Sequence, residues 1–441
     1  MKRRTSPVRR VALAALGMLP LVGALISIFW MLFAKTRPEA WGAAVAAWLM
    51  GSVTSLLGAI VLIQAVYTAL QSLLWQRYRP FKRPKKAVWP RVTVVIPAFN
   101  EGPMVERSIR SVTKSNYPAD KLEIIVVDDG SRDDTFFHMQ RLRREFPTMV
   151  RLIRFASNRG KRAALEAGFR EATGEILVTI DSDSEVETKT IAEMVTPFLC
   201  DEQVGGVAGR VAVLNRDTTI SRMLEVQYAL AFDFGRAAQS AYRTVSCCPG
   251  ALSAFRRSII LPHLTEWTQQ KFLGRPVGHG EDQALTNIVL REGYDTVYQR
   301  TAAIHTLAPT TYRQMSRMFL RWDRSYIVEG FSFAKFMFTK YRTKNRVLPV
   351  VTFIVSNLRL ILFFWGLLEL PFVIVGDMRT HVQAAIALCL GALFTGGYYL
   401  RVERSFRFVY GLVYAVYSVL LLQWILPWAL ITVRDERWGT R

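Results

Sequence analysis

Long stretches without a single charge decide what this chain can fold into. Val11–Phe33 runs 23 residues uncharged, and Trp41–Gln76 is a second, longer run of the same kind. A helix of about 20 apolar residues crosses the hydrocarbon of a bilayer. Each run is therefore long enough to span, the second between Val45 and Leu70 with Trp75 near the interface. Val347–Val375 is apolar apart from Arg359 and Glu369; Val382–Leu400 has no charge; Phe408–Val433 has none but carries Pro427. A cleaved signal peptide is the competing reading of the first run. Its apolar core is long and no small-x-small site closes it, so an uncleaved anchor is expected.

Charge supplies the orientation. The chain holds 57 Lys and Arg against 35 Asp and Glu, a net +22. Met1–Arg10 has five bases, Gln76–Arg91 seven, and Thr310–Arg346 nine against two acids. Each stretch borders an apolar run, which is how positive charge sits on the cytoplasmic side against anionic lipid. No nucleic-acid motif accompanies it, so no nucleic acid is expected as a partner. With 51% hydrophobic and 21% charged residues, disorder is excluded. Cys200, Cys247, Cys248 and Cys389 form no CxxC pair, which argues against disulfides and zinc.

The expected layout follows. Residues 1–76 form two transmembrane helices, 77–345 a cytoplasmic domain, 346–433 further membrane helices, and 434–441 a tail. Phe408–Val433 is either a fifth span or an interfacial helix broken at Pro427. The protein is expected as a multi-pass inner-membrane protein with its middle domain inside.

That middle domain has a different pattern. Val92-Thr-Val-Val-Ile-Pro, Leu122-Glu-Ile-Ile-Val-Val, Val150-Arg-Leu-Ile-Arg-Phe and Ile176-Leu-Val-Thr-Ile are short apolar runs rich in β-branched residues. Helical patterns at Glu101–Ser115, Asp133–Glu145 and Gly160–Ala172 fall between them. Such alternation predicts a parallel α/β sheet buried on both faces, with ligands beyond the carboxyl ends of its strands. Those ends carry Asn100-Glu101, Asp128-Asp129, Asn158 and Asp181-Ser-Asp183.

Taken singly, these polar groups are ambiguous. Asp181 and Asp183 can hold a hard divalent cation or form a solvated turn. Asp128-Asp129-Gly130-Ser131 reads as a ligand site or as a turn with a cap. Gly280-Glu281-Asp282 precedes a helical stretch, Gln283–Arg291, so a carboxylate there is a general base or a cap. Arg321-Trp322 lies in an amphipathic run, Tyr312–Phe338, that suits a membrane surface in any case. His279 and His305 lack metal-ligand spacing. Neither GxGxxG nor GxxxxGK[ST] is present, which disfavours a nicotinamide enzyme or P-loop ATPase.

The combination is more specific. Pro97-Ala-Phe-Asn-Glu101, Val127-Asp-Asp-Gly-Ser131, Asn158-Arg-Gly-Lys-Arg162, Asp181-Ser-Asp183, Gly250-Ala-Leu-Ser-Ala-Phe-Arg256, Gly280-Glu-Asp282 and Arg321-Trp322 stand in order. They resemble the inverting, metal-dependent glycosyltransferases of family 2. Glu266-Trp-Thr-Gln-Gln-Lys-Phe-Leu-Gly274, Arg321-Trp-Asp-Arg-Ser-Tyr326 and Trp438-Gly-Thr-Arg441 are similar to hyaluronan synthases and rhizobial chitin-oligosaccharide synthases. The resemblance implies a GT-A type, Rossmann-like parallel sheet flanked by transmembrane and interfacial helices, the latter at about 219–242 and 312–340.

It also implies roles. Asp128 and Asp129 would hold the uridine of a UDP-sugar, with Lys161 and Arg162 alongside. Asp183, with Asp181, would bind Mg²⁺ or Mn²⁺. Asp282, beside Glu281, would take the acceptor proton. Arg321 would face the diphosphate and Trp322 the growing polysaccharide. Trp438 and Arg441 would end a gating segment that reaches the nucleotide, which places the tail inside and favours four spans. The donors would be UDP-N-acetylglucosamine, with UDP-glucuronate for a hyaluronan-like polymer or alone for a chitin-type product. A polyprenyl-phosphate sugar transferase and a transporter with a degenerate sugar site are the alternatives. Met318, Gln283 and Leu307 depart from the pattern of the processive relatives.

Overall fold

The structure is a computed structural model that describes residues 59–60, 62–339, 346–375, 394 and 396–435. The expected span Val11–Phe33, the first part of Trp41–Gln76, most of Val382–Leu400, and Trp438 and Arg441 lie outside the described residues. The chain divides into two compact units, one of residues 71–349 and 387–441, the other of 1–70 and 350–386.

The first unit is built on an eight-stranded sheet of order β3-β2-β1-β4-β7-β6-β10-β5. The four runs read from the sequence form its first half: β1 (Val92–Ala98), β2 (Leu122–Asp128), β3 (Val150–Arg154) and β4 (Ile176–Ile180). All their pairings are parallel, with Ala98 opposite Asp128. The second half, built from strands beyond the four read in the sequence, is mixed. β7 (Leu252–Arg256) runs antiparallel to both β4 and β6 (Val204–Val213). β10 (Asp295–Thr306) is parallel to β6, and β5 (Ser184–Val186) antiparallel to β10. Strand direction depends on the loop before it, and periodicity does not encode it.

Burial on both faces explains the apolar runs. Along β1, Val94 and Ile96 join one core while Val95 joins the other; on β2, Ile124 and Val126 oppose Ile125 and Val127 in the same way. Side chains alternate faces with a period of two, so an amphipathic strand could not serve here. Helix α1 (Met104–Thr113) covers the first face with Val105, Ile109 and Val112, spaced for one side of a helix. α2 (Thr135–Glu145) and α4 (Thr190–Cys200) add to that layer. α3 (Lys161–Glu171) covers the other with Ala164, Leu165 and Phe169.

The segment expected to lie under the membrane at 219–242 proves more embedded. It forms α5 (Thr219–Ala229), a π turn (Leu230–Phe234) and α6 (Gly235–Ala241). A capping box between Thr218 and Ser221 starts α5. Met223, Leu224, Val226 and Tyr228 are all buried within the protein. α7 (Glu281–Arg291) and α8 (Tyr312–Phe336) follow, α8 starting with a second capping box, Thr311 and Gln314.

The C-terminal apolar run is α10 (Val409–Leu421) and α11 (Ile425–Ile431), after α9 (Val347–Val375). The two are bent by 48°. The break falls at 422–424, ahead of Pro427 rather than at it. Pro427 sits in the first turn of α11, where a missing N–H is harmless. The Tyr312 hydroxyl bridges the break, donating to Leu421 O at 2.9 Å and accepting from Trp424 Nε1 at 2.7 Å. Val409, Val413, Val416, Leu420, Trp424 and Trp428 are exposed along this pair. In α9, Val347–Leu368 is long and apolar enough to cross a membrane. Within the second unit, Gln64 Nε2 donates to Val355 O at 2.7 Å.

Candidate active site

The parallel half of the sheet brings its acidic strand ends to one edge. β2 ends on fully buried Asp128, whose Oδ1 accepts the Ser131 N–H at 3.0 Å. Arg154 Nε lies 3.2 Å from its Oδ2. Asp129 accepts the N–H groups of Arg159 at 2.7 Å and Gly160 at 2.9 Å. Burial raises its carboxyl above the ordinary value, with the two amides opposing. Gly130 has φ of 72°, and an added Cβ would come within 2.4 Å of the Ser157 carbonyl carbon. Only glycine lets the 128–131 turn press against the 157–160 loop.

That loop delivers Lys161 at the first turn of α3. Lys161 Nζ reaches Asp181 Oδ1 at 2.6 Å and Glu281 Oε1 at 3.0 Å. One ammonium thus ties the end of β4 at Asp181 to the start of α7 at Glu281, 100 positions further along the chain. Burial works against the Lys161 charge, yet Asp181 and Glu281 hold its pKa above the usual value. Arg162, expected beside the nucleotide, donates to Trp267 O at 2.7 Å, Gln270 Oε1 at 2.8 Å and His279 O at 3.1 Å. It anchors the 267–279 loop leading into Gly280. His279 is buried, which lowers its pKa to about 4, with Arg324 adding to the shift.

Gly280 and α7 set the acidic pair. Gly280 adopts φ of 72°, and a Cβ there would meet Ser325 Oγ at 2.2 Å, so α8 packs directly on the turn. Asp282 Oδ2 accepts the Gly250 N–H at 2.8 Å, and Oδ1 the Gln283 N–H at 2.8 Å. Cys247 Sγ is 3.7 Å from Oδ2. Burial, then the charge of Glu281, push the Asp282 carboxyl up, with Lys161 opposing. Burial would raise Glu281 as well, but Lys161 and its own backbone N–H hold it below the usual range. The pKa values of two adjacent carboxylates are therefore pushed apart, Glu281 down and Asp282 up, a divergence of the kind general acid–base chemistry uses.

Asp183 accepts from Ser184 Oγ at 3.0 Å and Thr306 Oγ1 at 3.3 Å. Among the described residues, no three His, Cys, Asp or Glu side chains converge as a ready cation cage. The carboxylates of Asp181 and Asp183 still fit a hard divalent cation of the magnesium kind, which keeps waters and takes phosphate oxygens as its other ligands. Tyr228 lies close enough to feel the charges of Asp183, Arg321 and Asp181, and its pKa is raised chiefly by burial. Arg321 also acts on Glu281 and His279. Trp322 stacks in an aromatic wall, 6.0 Å from Tyr228, 5.7 Å from Phe232 and 5.5 Å from Phe319. The wall and the Gly250 amide were not singled out as site groups from the sequence. Gly250 opened a quoted motif, but nothing in its residue type marks a hydrogen-bond donor to Asp282.

From the other end of the chain, Arg324 Nη2 donates to Thr432 Oγ1 at 2.8 Å and lies 3.6 Å from Asp435 Oδ2. α11 is thereby fastened one turn from Arg321.

The sheet with its acidic strand ends and buried acid pair agrees with the glycosyltransferases of GT-A fold to which the chain is similar. The model described as glycosyl transferase family 2 matches residues 93–261. An N-acetylglucosaminyltransferase of Azorhizobium caulinodans is 30% identical over 357 residues, 80% of this chain and 87% of its own. A hyaluronan synthase of Streptococcus pyogenes is 29% identical over 396 residues, 88% of this chain and 91% of its own. A mannosyltransferase from Pyrobaculum calidifontis, solved with GDP-Man and Mn²⁺, shares the fold: TM-score 0.56, 21% identity, 82% of this chain and 98% of that one. The chain belongs to glycosyltransferase family 2.

Proposed function

We propose that the chain is a processive, inverting β-glycosyltransferase that polymerises UDP-activated sugars at the cytoplasmic face of a membrane and exports the product. UDP-N-acetylglucosamine is one donor and UDP-glucuronate the second. The observation that carries the reading is the buried neighbouring pair Glu281 and Asp282, with Lys161 joining Glu281 to Asp181 at the end of β4 and Arg321 of α8 acting on Glu281. The long relatives named above support the polymer.

In this reading Asp128 and Asp129 form the uridine end of the site. Asp183, with Asp181, would hold a Mg²⁺ or Mn²⁺ ion, which neutralises charge on the diphosphate. Arg321 offsets charge developing on the same group. Asp282 takes the proton from the acceptor hydroxyl, its carboxylate aimed by the Gly250 and Gln283 amides. Attack on the face opposite the leaving diphosphate inverts the anomeric carbon. Trp322 gives the acceptor ring an apolar face. The exposed apolar side of α10 and α11 and the basic stretches suit a bilayer with anionic lipid. Trp438 and Arg441, which lie outside the described residues, are proposed as substrate-binding residues.

The test is UDP release by purified protein with each UDP-sugar alone and in pairs, in Mn²⁺ or Mg²⁺, followed by linkage-specific hydrolases. Polymer only with both donors supports the two-sugar product. Polymer from UDP-N-acetylglucosamine alone replaces it with the chitin-type reading. A lipid-extractable single-sugar product overturns processivity.

A further inference from the structure

Asp233 has no part in the chemistry above, yet it is one of the most connected side chains in the protein. It sits in the π turn between α5 and α6 and is 2% exposed. Its Oδ1 accepts from Tyr298 Oη at 2.9 Å and Arg300 Nε at 2.6 Å, both on β10. Its Oδ2 accepts from Tyr398 Oη at 2.5 Å. Tyr398 belongs to the helix over 396–403, the end of the apolar run Val382–Leu400. Tyr78, which follows the N-terminal apolar run, joins the same node. Its hydroxyl donates to Tyr298 O at 2.8 Å and accepts the Arg300 N–H at 3.1 Å, and the Arg300 guanidinium lies over its ring at 5.1 Å.

The neighbours of Asp233 in the π turn face opposite ways. Phe234 packs on Trp75 at 6.1 Å and on Tyr398 at 5.2 Å. Phe232 packs on Tyr228 at 4.8 Å and edge-on to Trp322 at 5.7 Å, with the Arg236 guanidinium over its ring at 4.3 Å. A π turn holds one residue more than an α-helix of the same length, and such turns persist where function holds them. Here the extra residue aims a carboxylate into the sheet while its neighbours touch the membrane-run ends on one side and the acceptor wall on the other.

We propose that Asp233 is a positioning residue for the acceptor. It fixes the register of the π turn, and so seats Phe232 against Trp322, in step with the ends of the two apolar runs at Tyr78 and Tyr398. Its output is the hold on the growing chain between successive transfers, and hence product length. This rests on the processive reading above.

The test uses full-length protein in lipid, comparing wild type with Asp233→Asn and Tyr398→Phe. Readouts are polymer length, donor KM and thermal unfolding. Asn keeps the shape and removes the charge. Phe removes one hydroxyl and keeps the ring against Trp75 and Phe234. A tenfold faster loss of the acceptor corresponds to ~1.4 kcal/mol of binding. We expect Asp233→Asn to shorten the product by about that factor and Tyr398→Phe by about threefold, as one lost hydrogen bond of ~0.7 kcal/mol gives. The donor KM should move less than twofold. Wild-type lengths from both folded variants, or a lowered melting temperature with length unchanged, overturn the proposal. If Asp233→Asn fails to fold, wild-type length from Tyr398→Phe overturns it alone. Wild-type protein that makes no polymer from any donor instead removes the processive reading.

Discussion

Replacing Lys161 by Met should turn the enzyme into one with a shifted pH dependence. Lys161 is the cation between Asp181 and Glu281, and its charge opposes the upward push on Asp282. Lys161 Nζ and Asp282 Oδ2 lie 3.0 and 3.7 Å from the same point, the Cβ that a side chain at 250 would place. They are therefore no more than ~7 Å apart; at that distance and an effective dielectric of ~20 the attraction is ~2.4 kcal/mol. That is about 50-fold in the ratio of ionised to protonated Asp282. In its proposed role as base Asp282 works ionised, and burial already raises its pKa. Losing the cation raises it further, so activity is lost at the acid end and returns as pH rises. We expect the acid limb of kcat/KM for UDP release to move to higher pH in Lys161→Met, with up to about 50-fold lower activity below the limb. Lys161→Arg, which keeps the charge, should leave the limb nearer its wild-type place. An unmoved limb, or a loss equal at every pH, would refute the electrostatic reasoning and leave Lys161 as a donor contact only.

Other outcomes follow from the same geometry. Asp282→Asn should lower kcat for UDP release by roughly 10²–10⁴-fold, with the fold kept, because the Asn carbonyl oxygen still accepts one of the Gly250 and Gln283 amides while its NH2 faces the other; circular dichroism and turnover check the two halves. Gly280→Ala places a methyl within 2.2 Å of Ser325 Oγ in a left-handed backbone, and should lose about 2–4 kcal/mol in denaturant unfolding. Adding Ser325→Ala should recover part of it. Thr432→Val removes the acceptor for Arg324 and should raise donor KM more than it lowers stability, since α11 would no longer be fastened beside Arg321; unchanged KM would show that the C-terminal contact is only structural.

Much of this was legible because strands buried on both faces leave continuous apolar runs, and their ends must be polar where a ligand binds. β1 to β4 and their acids follow from that alone. The far half of the sheet does not, since β7 reverses direction without any change in its residue types. Arg162 looked like a ligand residue because it adjoins Lys161 on α3, but successive helical positions face different sides, and it anchors a loop. The link from Lys161 to Glu281 spans distant parts of the chain and becomes visible only once β4 and α7 are adjacent. Pro427 suggested a break by its chemistry, whereas the turn lies ahead of it and the ring begins the next helix. Tyr228 and Phe232 lie in the segment expected as an interfacial helix, and the structure packs them against Trp322 as a wall.

The reversed strand β7 has one more effect. Because it runs against β4, its beginning lies beside the end of β4, and this is what carries the Gly250 peptide to Asp282. The clasp on Asp282 is thus made by a main-chain N–H, which every residue but proline possesses. Mutational drift along β7 cannot remove that clasp by changing side chains; it can only crowd it, so any side chain at position 250 would press on Lys161 and the two carboxylates.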